Sequence, residues 1–367
     1  MYIGEKLIDR PFRWGIVGGG KTSQVGYKHR LGAMRDNTSF LLTAAAFDVD
    51  AERCREFGVS LGMDADRCYP DYKTMFEAEA KREDGIEVVD VATPNFLHYE
   101  VTKAALEAGL HVICEKPLFF EAEQGEEIKK LAEEKGKIVA VTYGFSGFDM
   151  LKQMRAMVTS GKLGKIVGIQ SNYAIAKPHE YFDVEWHTKK GSGPLLINAI
   201  HDFDDLNFVT GMKPTKVYAA ARNTIRGNEV EDSVSAVVEY EGGVTASYFV
   251  SDGTPGPWNY DLAAEENTFF TMCPGENSMR VFGTKGSFGF PNMDLYYQDD
   301  DAYGWLQPIE HEHFDVEKND PMTAELEHFV DLCLGRETTP RCTGDNALDT
   351  LKVINAIQKS AEDETPV

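Results

Sequence analysis

Short apolar runs alternate with amphipathic stretches over the first 145 residues of the chain. The runs carry almost no charge, which is typical of strands buried on both faces of a sheet. They are Trp14–Val17, Leu41–Phe47, Val88–Ala92, His111–Cys114 and Ile138–Thr142. The stretches between them have helical spacing and include Ala51–Gly58, Tyr99–Ala108 and Ala122–Lys135. This alternation predicts an α/β domain over residues 1–145, with a doubly wound parallel sheet covered by helices on both faces.

From residue 146 to residue 367 the pattern changes to strand-like segments of alternating polarity. These segments are Ile166–Ala176, Val217–Asn223, Ser233–Glu241, Val244–Ser251, Met279–Phe282, Ser287–Phe290 and Leu295–Gln298. The pair Gly242-Gly243 predicts a hairpin between two of them. Helical spacing returns in Met150–Ser160, Thr323–Leu334 and Asn346–Ala361. We therefore expect a second, α+β domain whose mostly antiparallel sheet has one face covered by helices or by a partner subunit.

The charge of the chain narrows the classes of partner. Its 367 residues include 60 acidic and 37 basic side chains, a formal net charge of −23. This excess repels nucleic acid and anionic membrane surfaces, so we expect neither as a partner. A dinucleotide remains compatible with the charge, because N–H groups at a helix N-terminus can hold a pyrophosphate locally.

The cysteines and the apolar runs bear on location. The six cysteines are scattered and form no CxxC motif, which argues for a reducing compartment and against a disulfide framework or structural zinc. The segment Met1–Arg13 has no hydrophobic signal core, and the longest apolar run, Leu41–Phe47, is too short to span a bilayer. We expect a cytoplasmic protein.

The first apolar run leads into the glycine-rich sequence GIVGGGKTSQVG. Glycines after a strand let the backbone approach a pyrophosphate, although such clusters also form ordinary turns. Asp48 follows the second run, where a carboxylate accepts hydrogen bonds from the adenosine ribose and repels a 2′-phosphate; its alternative role is a helix N-cap. The pattern favours NAD, with NADP less suited. The candidate cofactor-binding residues in the turn are Gly18, Gly19, Gly20, Lys21 and Thr22.

Two later strand ends carry further candidates. Thr93-Pro94-Asn95 follows Val88–Ala92 at a place where ligands collect in doubly wound sheets, and His98 comes three residues later. The first segment could also be a rigid turn, and the histidine could simply cap or pack. Glu115-Lys116-Pro117 follows His111–Cys114. A lysine beside an oxidised nicotinamide can exchange a proton with a substrate hydroxyl, whereas the alternative is a surface Glu–Lys pair.

A polar group on an otherwise apolar helix marks the second domain. Pro194 suits the first turn of this helix and Gly211 its end. Asn198, His201 and Asp205 then fall on one side, at i, i+3 and i+7. A histidine in this setting could take a hydroxyl proton, or it could be a hydrogen-bonded interdomain residue.

Other conspicuous residues receive plainer interpretations. Trp186, Trp258 and Tyr260 could stack on the C–H faces of a sugar, although aromatic residues pack in cores more often. His311 and His313 share one face of a strand, but no third ligand is evident, so we expect no metal site. The acidic run Asp299–Asp301 is interpreted as a solvated loop.

With these residues identified, the chain resembles the glucose–fructose oxidoreductase/inositol dehydrogenase (Gfo/Idh/MocA) family over nearly its whole length. The resemblance is most specific in VVDVATPNFLHYEVTKAALEAGLHVICEKPL, from Val88 to Leu118. It continues through SGKLGKI (Ser160–Ile166) and GPLLINAIHDFDDL (Gly193–Leu206). The resemblance implies an N-terminal Rossmann domain and a C-terminal open-faced sheet through which members assemble as dimers, tetramers or larger homo-oligomers.

The same resemblance implies hydride transfer between NAD(P) and a ring carbinol of a sugar, glycoside or cyclitol. The family's motif lysine falls on Lys116, its motif histidine on His201, and its typically cis proline on Pro117. Inositol-type members carry an Asp four residues before the histidine, where this chain has Ile197. The segment 143–148 lacks the arginine found there in many relatives. The long loop GGGKTSQVGYKHR looks like a subgroup acting on larger glucosides, including enzymes that oxidise the sugar C3 hydroxyl.

We therefore expect an NAD-dependent oxidoreductase acting on a secondary ring hydroxyl of a sugar or glycoside, such as C3 of a glucoside, with substrate between the two domains. Either Lys116 or His201 removes the proton, while Glu115 and Asn95 position the nicotinamide ribose. The candidate substrate contacts are Asn198, Asp205, Tyr143, Trp186 and Trp258. The alternatives are an inositol or cyclitol dehydrogenase, an oxo-sugar reductase, a non-catalytic NAD-binding regulatory protein, and a metal-dependent lyase.

Overall fold

The structure, a computed structural model, describes residues 2–3, 6–7, 10–35, 39–143, 149–265, 270–299, 303–316, 320–336 and 343–367. The chain divides into two compact units. The first comprises residues 1–147 with 320–349, and the second comprises residues 148–319 with 350–367. The division at residue 147 lies close to the predicted limit at 145, whereas the segment 320–349 belongs with the first unit and not with the second.

The first unit is built on a parallel sheet. Two short strands, β1 (Tyr2–Ile3) and β2 (Lys6–Leu7), pair antiparallel ahead of it. The sheet itself consists of β3 (Phe12–Gly18), β4 (Phe40–Ala46), β5 (Val88–Ala92), β6 (His111–Glu115) and β7 (Val139–Thr142). Its strand order is β4-β3-β5-β6-β7, and all neighbours are parallel. The strand order reverses between β3 and β5, where doubly wound sheets open a crevice at their carboxyl edge.

Five helices connect these strands: α1 (Gln24–Arg35), α2 (Ala51–Ser60), α3 (Tyr72–Glu79), α4 (His98–Glu107) and α5 (Ala122–Lys135). Their ends follow from local chemistry. The Asp71 carboxylate accepts the Thr74 N–H and starts α3. Gly136, with φ of +60°, ends α5 in the left-handed conformation that glycine adopts without strain. The predicted parallel sheet and its helices are thus confirmed.

The second unit is built on a sheet of eight strands. They are β8 (Ile166–Ala174), β9 (Pro214–Arg222), β10 (Ser233–Tyr240), β11 (Val244–Ser251), β12 (Met279–Gly283), β13 (Gly286–Phe290), β14 (Asp294–Tyr297) and β15 (Glu310–His313). The order is β15-β14-β13-β12-β8-β11-β10-β9, and only β8 and β11 run parallel. The predicted hairpin at Gly242-Gly243 joins β10 to β11, and both glycines have positive φ.

One face of this sheet is buried and the other is open. On β10 the side chains of Val234, Ala236 and Val238 are buried, whereas Ser235 and Val237 are exposed. The helices of this unit include α6 (Asp149–Thr159), α7 (Ile200–Thr210) and the short α8 (Tyr260–Ala263). The alternation along β10 confirms the predicted period of two and leaves an outer face available to a partner.

Two further helices follow, α9 (Pro321–Cys333) and α10 (Gly344–Asp363). Asp320 caps α9 and Pro321 occupies its first turn. Leu326, Phe329 and Val330 on α9 belong to the same buried cluster as Trp14 and Ile113 of the parallel sheet. This apolar face explains why α9 belongs to the first unit. None of the helices within the described ranges is long and apolar enough to cross a membrane.

Candidate functional site

The glycine turn follows β3 and lies beside the end of β5. Gly18 pairs in register with Ala92, and the Gly19 N–H donates to the Ala92 carbonyl at 3.0 Å. Gly18 has φ of +78°, and a Cβ there would lie 2.5 Å from the Ala92 oxygen, so a larger residue does not fit. The bare backbone of the turn is what the close approach of a pyrophosphate requires.

Gly26 is the last glycine of the sequence GIVGGGKTSQVG and lies in the first turn of α1. A Cβ on Gly26 would lie 2.3 Å from the Gly19 Cα, so this glycine allows α1 to pack directly on the turn. Ser23 Oγ accepts the Gly26 N–H at 3.0 Å near the start of α1. The first N–H groups of α1 therefore follow the turn directly, an arrangement that binds phosphate. Lys21 and Thr22 are exposed at its tip.

Asp48 lies just beyond β4, at the carboxyl edge of the sheet. Its carboxylate accepts the Asp50 N–H at 2.9 Å and the Arg53 Nη2 at 2.8 Å. Asp50 is the residue that caps α2, so the alternative role of Asp48 as the helix cap is wrong. The hydrogen bond from Arg53 lowers the pKa of Asp48 below its ordinary value. Asp48 is therefore a carboxylate held at the carboxyl edge of the sheet, and its contact with an adenosine ribose stays a prediction.

We expect Asp48→Ala to weaken NAD binding and to reduce the preference for NAD over NADP about 10–100-fold. The carboxylate accepts ribose hydroxyl hydrogen bonds and repels a 2′-phosphate, and its loss releases Arg53 to meet that phosphate. Fluorescence titration with both cofactors measures the two dissociation constants. Asp50→Ala is the matched control, because it removes the helix cap and should leave the ratio unchanged. An unaltered ratio in Asp48→Ala would contradict the assignment.

The loop after β5 brings a buried hydroxyl to the same edge. Thr93 Oγ1 is buried and has no hydrogen-bond partner among the residues that the structure describes. Such a group is costly unless something binds it, so it indicates a ligand contact. Asn95 is partly buried and begins the short helical turn Asn95–Leu97. Both residues stay predicted cofactor contacts.

His98 is fully buried at the start of α4. Its ring nitrogens each lie 2.8 Å from a backbone carbonyl oxygen, Nδ1 from that of Pro117 and Nε2 from that of Thr93. His98 thus joins the loop after β5 to the loop after β6. This geometry favours a role in holding the two loops together over direct contact with a cofactor.

The lysine motif lies at the end of β6. The Lys116–Pro117 peptide is cis, as the resemblance implied. Glu115 is the last residue of the strand, with 15% of its side chain exposed. Its Oε1 accepts Thr142 Oγ1 at 2.8 Å and lies 2.9 Å from His29 Nε2. Burial alone would raise the pKa of Glu115, but His29, Lys116 and Thr142 more than offset it and lower the pKa to about 2.

His29, on α1, is a member of this cluster that the sequence did not indicate. It is fully buried, and its Nδ1 lies 2.9 Å from both carboxylate oxygens of Asp90 on β5. Burial alone would lower the pKa of His29, but Asp90 and Glu115 raise it to about 10. The raised pKa favours the imidazolium form of His29, which lies between two carboxylates next to the lysine motif.

These residues together fit a nicotinamide dinucleotide. The turn at Gly18 has room for no side chain, Asp48 is an ionised acceptor for a ribose, and Thr93 presents an unsatisfied hydroxyl. All three lie at the carboxyl ends of neighbouring strands, where a dinucleotide binds in this kind of sheet. Glu115 and Lys116 occupy the next strand end along the same edge.

The histidine of the second unit lies on an irregular helix. Residues Leu195–Ala199 form a π-helical turn, and α7 begins only at Ile200. The expected regular spacing from Asn198 to His201 and Asp205 is therefore wrong at its first member, because a π turn inserts an additional residue. Gly211, with φ of +64°, ends α7 as predicted. Turns of this kind are frequent at functional sites.

This helix carries one member of a buried acid pair, which consists of Asp202 on α7 and Asp261 on α8. Tyr248 donates its hydroxyl hydrogen bond to Asp202, and Tyr173 donates to Asp261 at 2.6 Å. Burial, together with the charge of Asp261, raises the pKa of Asp202 to about 8. Burial also raises the pKa of Tyr173, and a hydrogen bond from Asn198 opposes that shift. Asn198 Oδ1 is buried and has no partner within the described part of the chain.

We expect Asp202→Asn to remove a pH dependence of stability. Because the folded-state pKa of about 8 lies above the unfolded value, the folded protein holds an additional proton between about pH 4 and about pH 8, and it loses stability as pH rises through that range. Between about pH 5.5 and about pH 8 the effect is up to about 3 kcal/mol. Thermal unfolding of both proteins at the two pH values measures it. Tyr248→Phe, which keeps the acid, should retain the dependence.

The remaining predicted substrate contacts differ in exposure. Tyr143 and Asp205 are almost fully buried, each 2% exposed. Trp186 and Trp258 are about half exposed, and Trp258 Nε1 donates to Glu276 at 3.1 Å. Tyr260 is buried and stacks on Phe290 with ring centres 5.5 Å apart, so the expectation that it stacks on a sugar is wrong. The two tryptophans are the aromatic surfaces available to a ligand among these three.

The paired histidines of β15 both contact one acid on the neighbouring strand. His311 Nε2 and His313 Nδ1 lie 3.0 Å and 2.9 Å from the same oxygen of Asp294 on β14. Within the described ranges, no three His, Cys, Asp or Glu side chains come together in a way that could hold a metal ion. Residues 300–301 of the acidic run lie outside the described residues, and Asp299 is exposed.

Comparison with known protein families identifies the family of the chain. The model of the GFO_IDH_MocA oxidoreductase family, with an NAD-binding Rossmann fold, matches residues 12–143, and the model of the GFO/IDH/MocA C-terminal domain matches residues 151–289. The chain belongs to the GFO/IDH/MocA family. The first unit is accordingly an NAD-binding Rossmann domain, and the protein is an oxidoreductase of that family.

Individual GFO/IDH/MocA relatives extend the comparison. The uncharacterized oxidoreductase YfiI of Bacillus subtilis is 45% identical over 299 residues, which are 78% of this chain and 72% of YfiI. The 1,5-anhydro-D-fructose reductase of Ensifer adhaerens is 27% identical over 75% of this chain and 74% of its own length. The inositol dehydrogenase homolog of Azotobacter vinelandii, solved with NADH and myo-inositol, is 30% identical, with a TM-score of 0.79 over 98% of each chain.

Proposed function

We propose that this GFO/IDH/MocA member is an NAD-dependent dehydrogenase that oxidises a secondary ring hydroxyl of a sugar or glycoside, with C3 of a glucoside as the position oxidised. The observation that carries the proposal is the place of Lys116, directly after Glu115 at the strand edge that holds the glycine turn and Asp48. A lysine there can accept the hydroxyl proton while the cofactor receives the hydride.

The reaction divides between cofactor and protein. NAD, when bound, supplies the nicotinamide carbon that accepts the hydride from the carbinol carbon. The O–H proton of the same carbinol must leave to a base, and we propose Lys116 or His201 for that role. The glycine turn and Asp48 hold the pyrophosphate and the adenosine ribose, while Glu115 and Asn95 position the nicotinamide ribose.

In the second unit, Asn198 is proposed to orient the sugar. Its buried Oδ1, unpartnered among the described residues, is an acceptor for a sugar hydroxyl, and the π turn places it outside the regular helical ladder. Trp186 and Trp258 are proposed as stacking surfaces for sugar C–H groups, because both rings are about half exposed. Asp205, which is buried, is proposed to support these contacts, and Tyr143, a buried residue of the first unit, stays a proposed substrate contact.

A second candidate function is cyclitol oxidation or the reverse reaction on an oxo-sugar. The inositol dehydrogenase homolog of Azotobacter vinelandii was solved with NADH and myo-inositol, and the Ensifer relative is a 1,5-anhydro-D-fructose reductase. Both are CH–OH/C=O couples on a ring, so the same proton and hydride chemistry serves them. A non-catalytic NAD-binding regulator is a third candidate, and the presence of both Lys116 and His201 disfavours it.

The experiment that tests the function measures NADH formation with glucose, an aryl glucoside and myo-inositol, and NADH consumption with an oxo-sugar. Faster turnover of the glucoside, with a 3-oxo product identified by NMR, supports the proposal. Preference for myo-inositol or for the oxo-sugar would transfer the assignment to the second candidate. No change in nicotinamide absorbance over a broad polyol panel, with NAD binding intact, would support the regulator.

We further propose that the protein is a homo-oligomer, assembled through the outer face of the second unit's sheet. This face carries a shallow hollow of about 550 Å³ lined by residues that include Tyr218, Val237 and Phe249. Tyr218 and Val237 lie opposite each other on β9 and β10 and are 38% and 40% exposed. An apolar sheet face of this kind is typically covered by a partner. Val237→Lys should reduce the mass measured by light scattering, and an unchanged mass would contradict the proposed interface.

We also place the enzyme in the cytoplasm. The five described cysteines are all free thiols, and Cys54 and Cys114 are buried. Free buried thiols agree with a reducing compartment.

A further inference from the structure

A fully buried histidine links three strands and a helix of the NAD-binding domain. His29 on α1 faces Asp90 on β5 through Nδ1 and Glu115 on β6 through Nε2, with all these contacts at 2.9 Å. Thr142 on β7 adds a hydrogen bond of 2.8 Å to the same oxygen of Glu115. Asp90 is completely buried, and the histidine side chain is 1% exposed. Water therefore has little access to either charge.

The geometry sets the charge of the imidazole. Ionised carboxylates only accept hydrogen bonds, so both ring nitrogens of His29 must donate, which only the imidazolium can do. The imidazolium charge balances one of the two carboxylate charges of Asp90 and Glu115. An unpaired buried carboxylate would destabilise the folded protein. The other charged groups near this cluster are Arg30, which faces Asp90, and Lys116, which faces Glu115. The nearby Cys114 is a neutral thiol, because burial raises its pKa.

The cluster also fixes the direction of Glu115. The bonds from His29 and Thr142 come from two different elements and end on the same oxygen, Oε1. Two such bonds hold the carboxylate in one rotamer, so that Oε2 has a defined position at the carboxyl edge of the sheet. A carboxylate that is held in place before a ligand arrives loses little entropy on binding it.

We propose that His29 is a positioning residue of the reaction: by bridging Asp90 and Glu115 it keeps the Glu115 carboxylate ionised and oriented for the nicotinamide ribose. The inference rests on the proposed contact between Glu115 and that ribose. His29 itself does not touch the cofactor in this assignment. It acts through Glu115, and Asp90 is the counter-charge that holds the imidazolium in place.

The pH dependence of NAD⁺ binding separates this role from a purely structural one. In the double variant His29→Gln/Asp90→Asn, Glu115 is the remaining ionisable member of the three, and burial without the cation raises its pKa. We expect NAD⁺ affinity about 10–100-fold below wild type near pH 6 and recovery toward wild type near pH 9. The wild type should bind with nearly constant affinity over the same range. An equal loss of affinity at every pH would overturn the proposal.

Two further variants test the link between His29 and Glu115. His111→Gln removes another largely buried histidine, at the start of the same strand β6, and should not create a pH dependence. Adding Glu115→Gln to the double variant should cause no further loss near pH 6 and should abolish the recovery near pH 9, because the two effects run through one residue. Additive losses would contradict the linkage.

A measurement on the unaltered protein keeps the inference testable if the double variant does not fold. Imidazole ¹⁵N NMR of the histidine-labelled protein without cofactor should show His29 doubly protonated from about pH 6 to about pH 9. A neutral His29 at about pH 7.5 would overturn the proposal. All of these titrations use NAD⁺ or the protein alone, so they stand even if no sugar is oxidised. Conversely, their failure would leave the dehydrogenase assignment untouched.

Discussion

Replacing Lys116 with Ala should lower turnover about 10³-fold or more while NAD affinity changes less than about threefold. The proposed role of the lysine is to accept, as the neutral amine, the proton of the substrate hydroxyl. The cofactor does not need this group in order to bind. The pyrophosphate and ribose contacts of the glycine turn and Asp48 remain in the variant. Steady-state assays of NADH formation, together with fluorescence titration of NAD, measure the two quantities separately.

The control for this substitution is Lys103→Ala. Lys103 lies on α4 of the same unit and forms an exposed ion pair with Glu127, so its loss should affect neither turnover nor NAD affinity. Retained activity in Lys116→Ala would refute the lysine's catalytic role. A parallel loss of NAD affinity would instead assign Lys116 to cofactor binding.

Replacing His201 with Asn should lower kcat by about 10²–10⁴-fold. The amide keeps a hydrogen-bonding side chain on α7 but cannot take up a proton near neutral pH. If the histidine is the primary base, the acidic limb of the kcat–pH profile should disappear in this variant and persist in a slow Lys116 variant. If the lysine is the base, the reverse should be observed, so the two profiles decide a question that the sequence left open.

The control for the histidine is His179→Asn, which alters an exposed residue of the same unit. It should change kcat by less than about twofold, since isolated surface substitutions rarely affect distant chemistry. Wild-type kcat in His201→Asn would leave the histidine as a structural residue of the helix, the alternative raised by its spacing.

Most strands of the two sheets could be predicted because they are continuous or alternating apolar runs, whereas β15 contains no apolar residue. Val88–Ala92 and Val244–Ser251 have the predicted limits, since turn residues or charges flank them on both sides. The residues proposed to bind the cofactor could also be predicted from the sequence, because the glycines, Asp48 and the lysine motif all follow directly on such runs. Local sequence determines these features, and the parallel arrangement of the strands then brings their ends to one edge.

His29 and Gly26 could not be identified in the same way. Helix α1 is rich in polar residues and contains Gly26 and Gly32, so its spacing gives no clear helical signal. The importance of His29 arises only when Asp90 and Glu115, far apart in the chain, approach it from two strands. Gly26 acquires its role from a contact with Gly19 across the turn. Both are tertiary effects with no local signature.

The π turn before α7 escaped prediction for a related reason. Leu195–Ala199 has an ordinary apolar helical composition, and nothing in it distinguishes the i→i+5 hydrogen bonds of a π turn from the i→i+4 bonds of an α-helix. The structure does show Glu231 Oε1 accepting the Leu195 N–H at 3.1 Å, at a place where a Cβ on Gly193 would collide with that carboxylate. A long-range capping contact therefore accompanies the irregular turn.

Helix α9 comes late in the chain but belongs to the first unit, and this has a consequence for biosynthesis. The buried cluster of the parallel sheet includes Trp14 and Ile113, which lie early in the chain. It is completed by Leu326, Phe329 and Val330 of α9, which lie near its end. As the polypeptide leaves the ribosome, the early sheet stays incompletely covered until this late helix has emerged. The dinucleotide-binding half is therefore finished only after most of the other half has been translated, and chaperones have that interval in which to engage it.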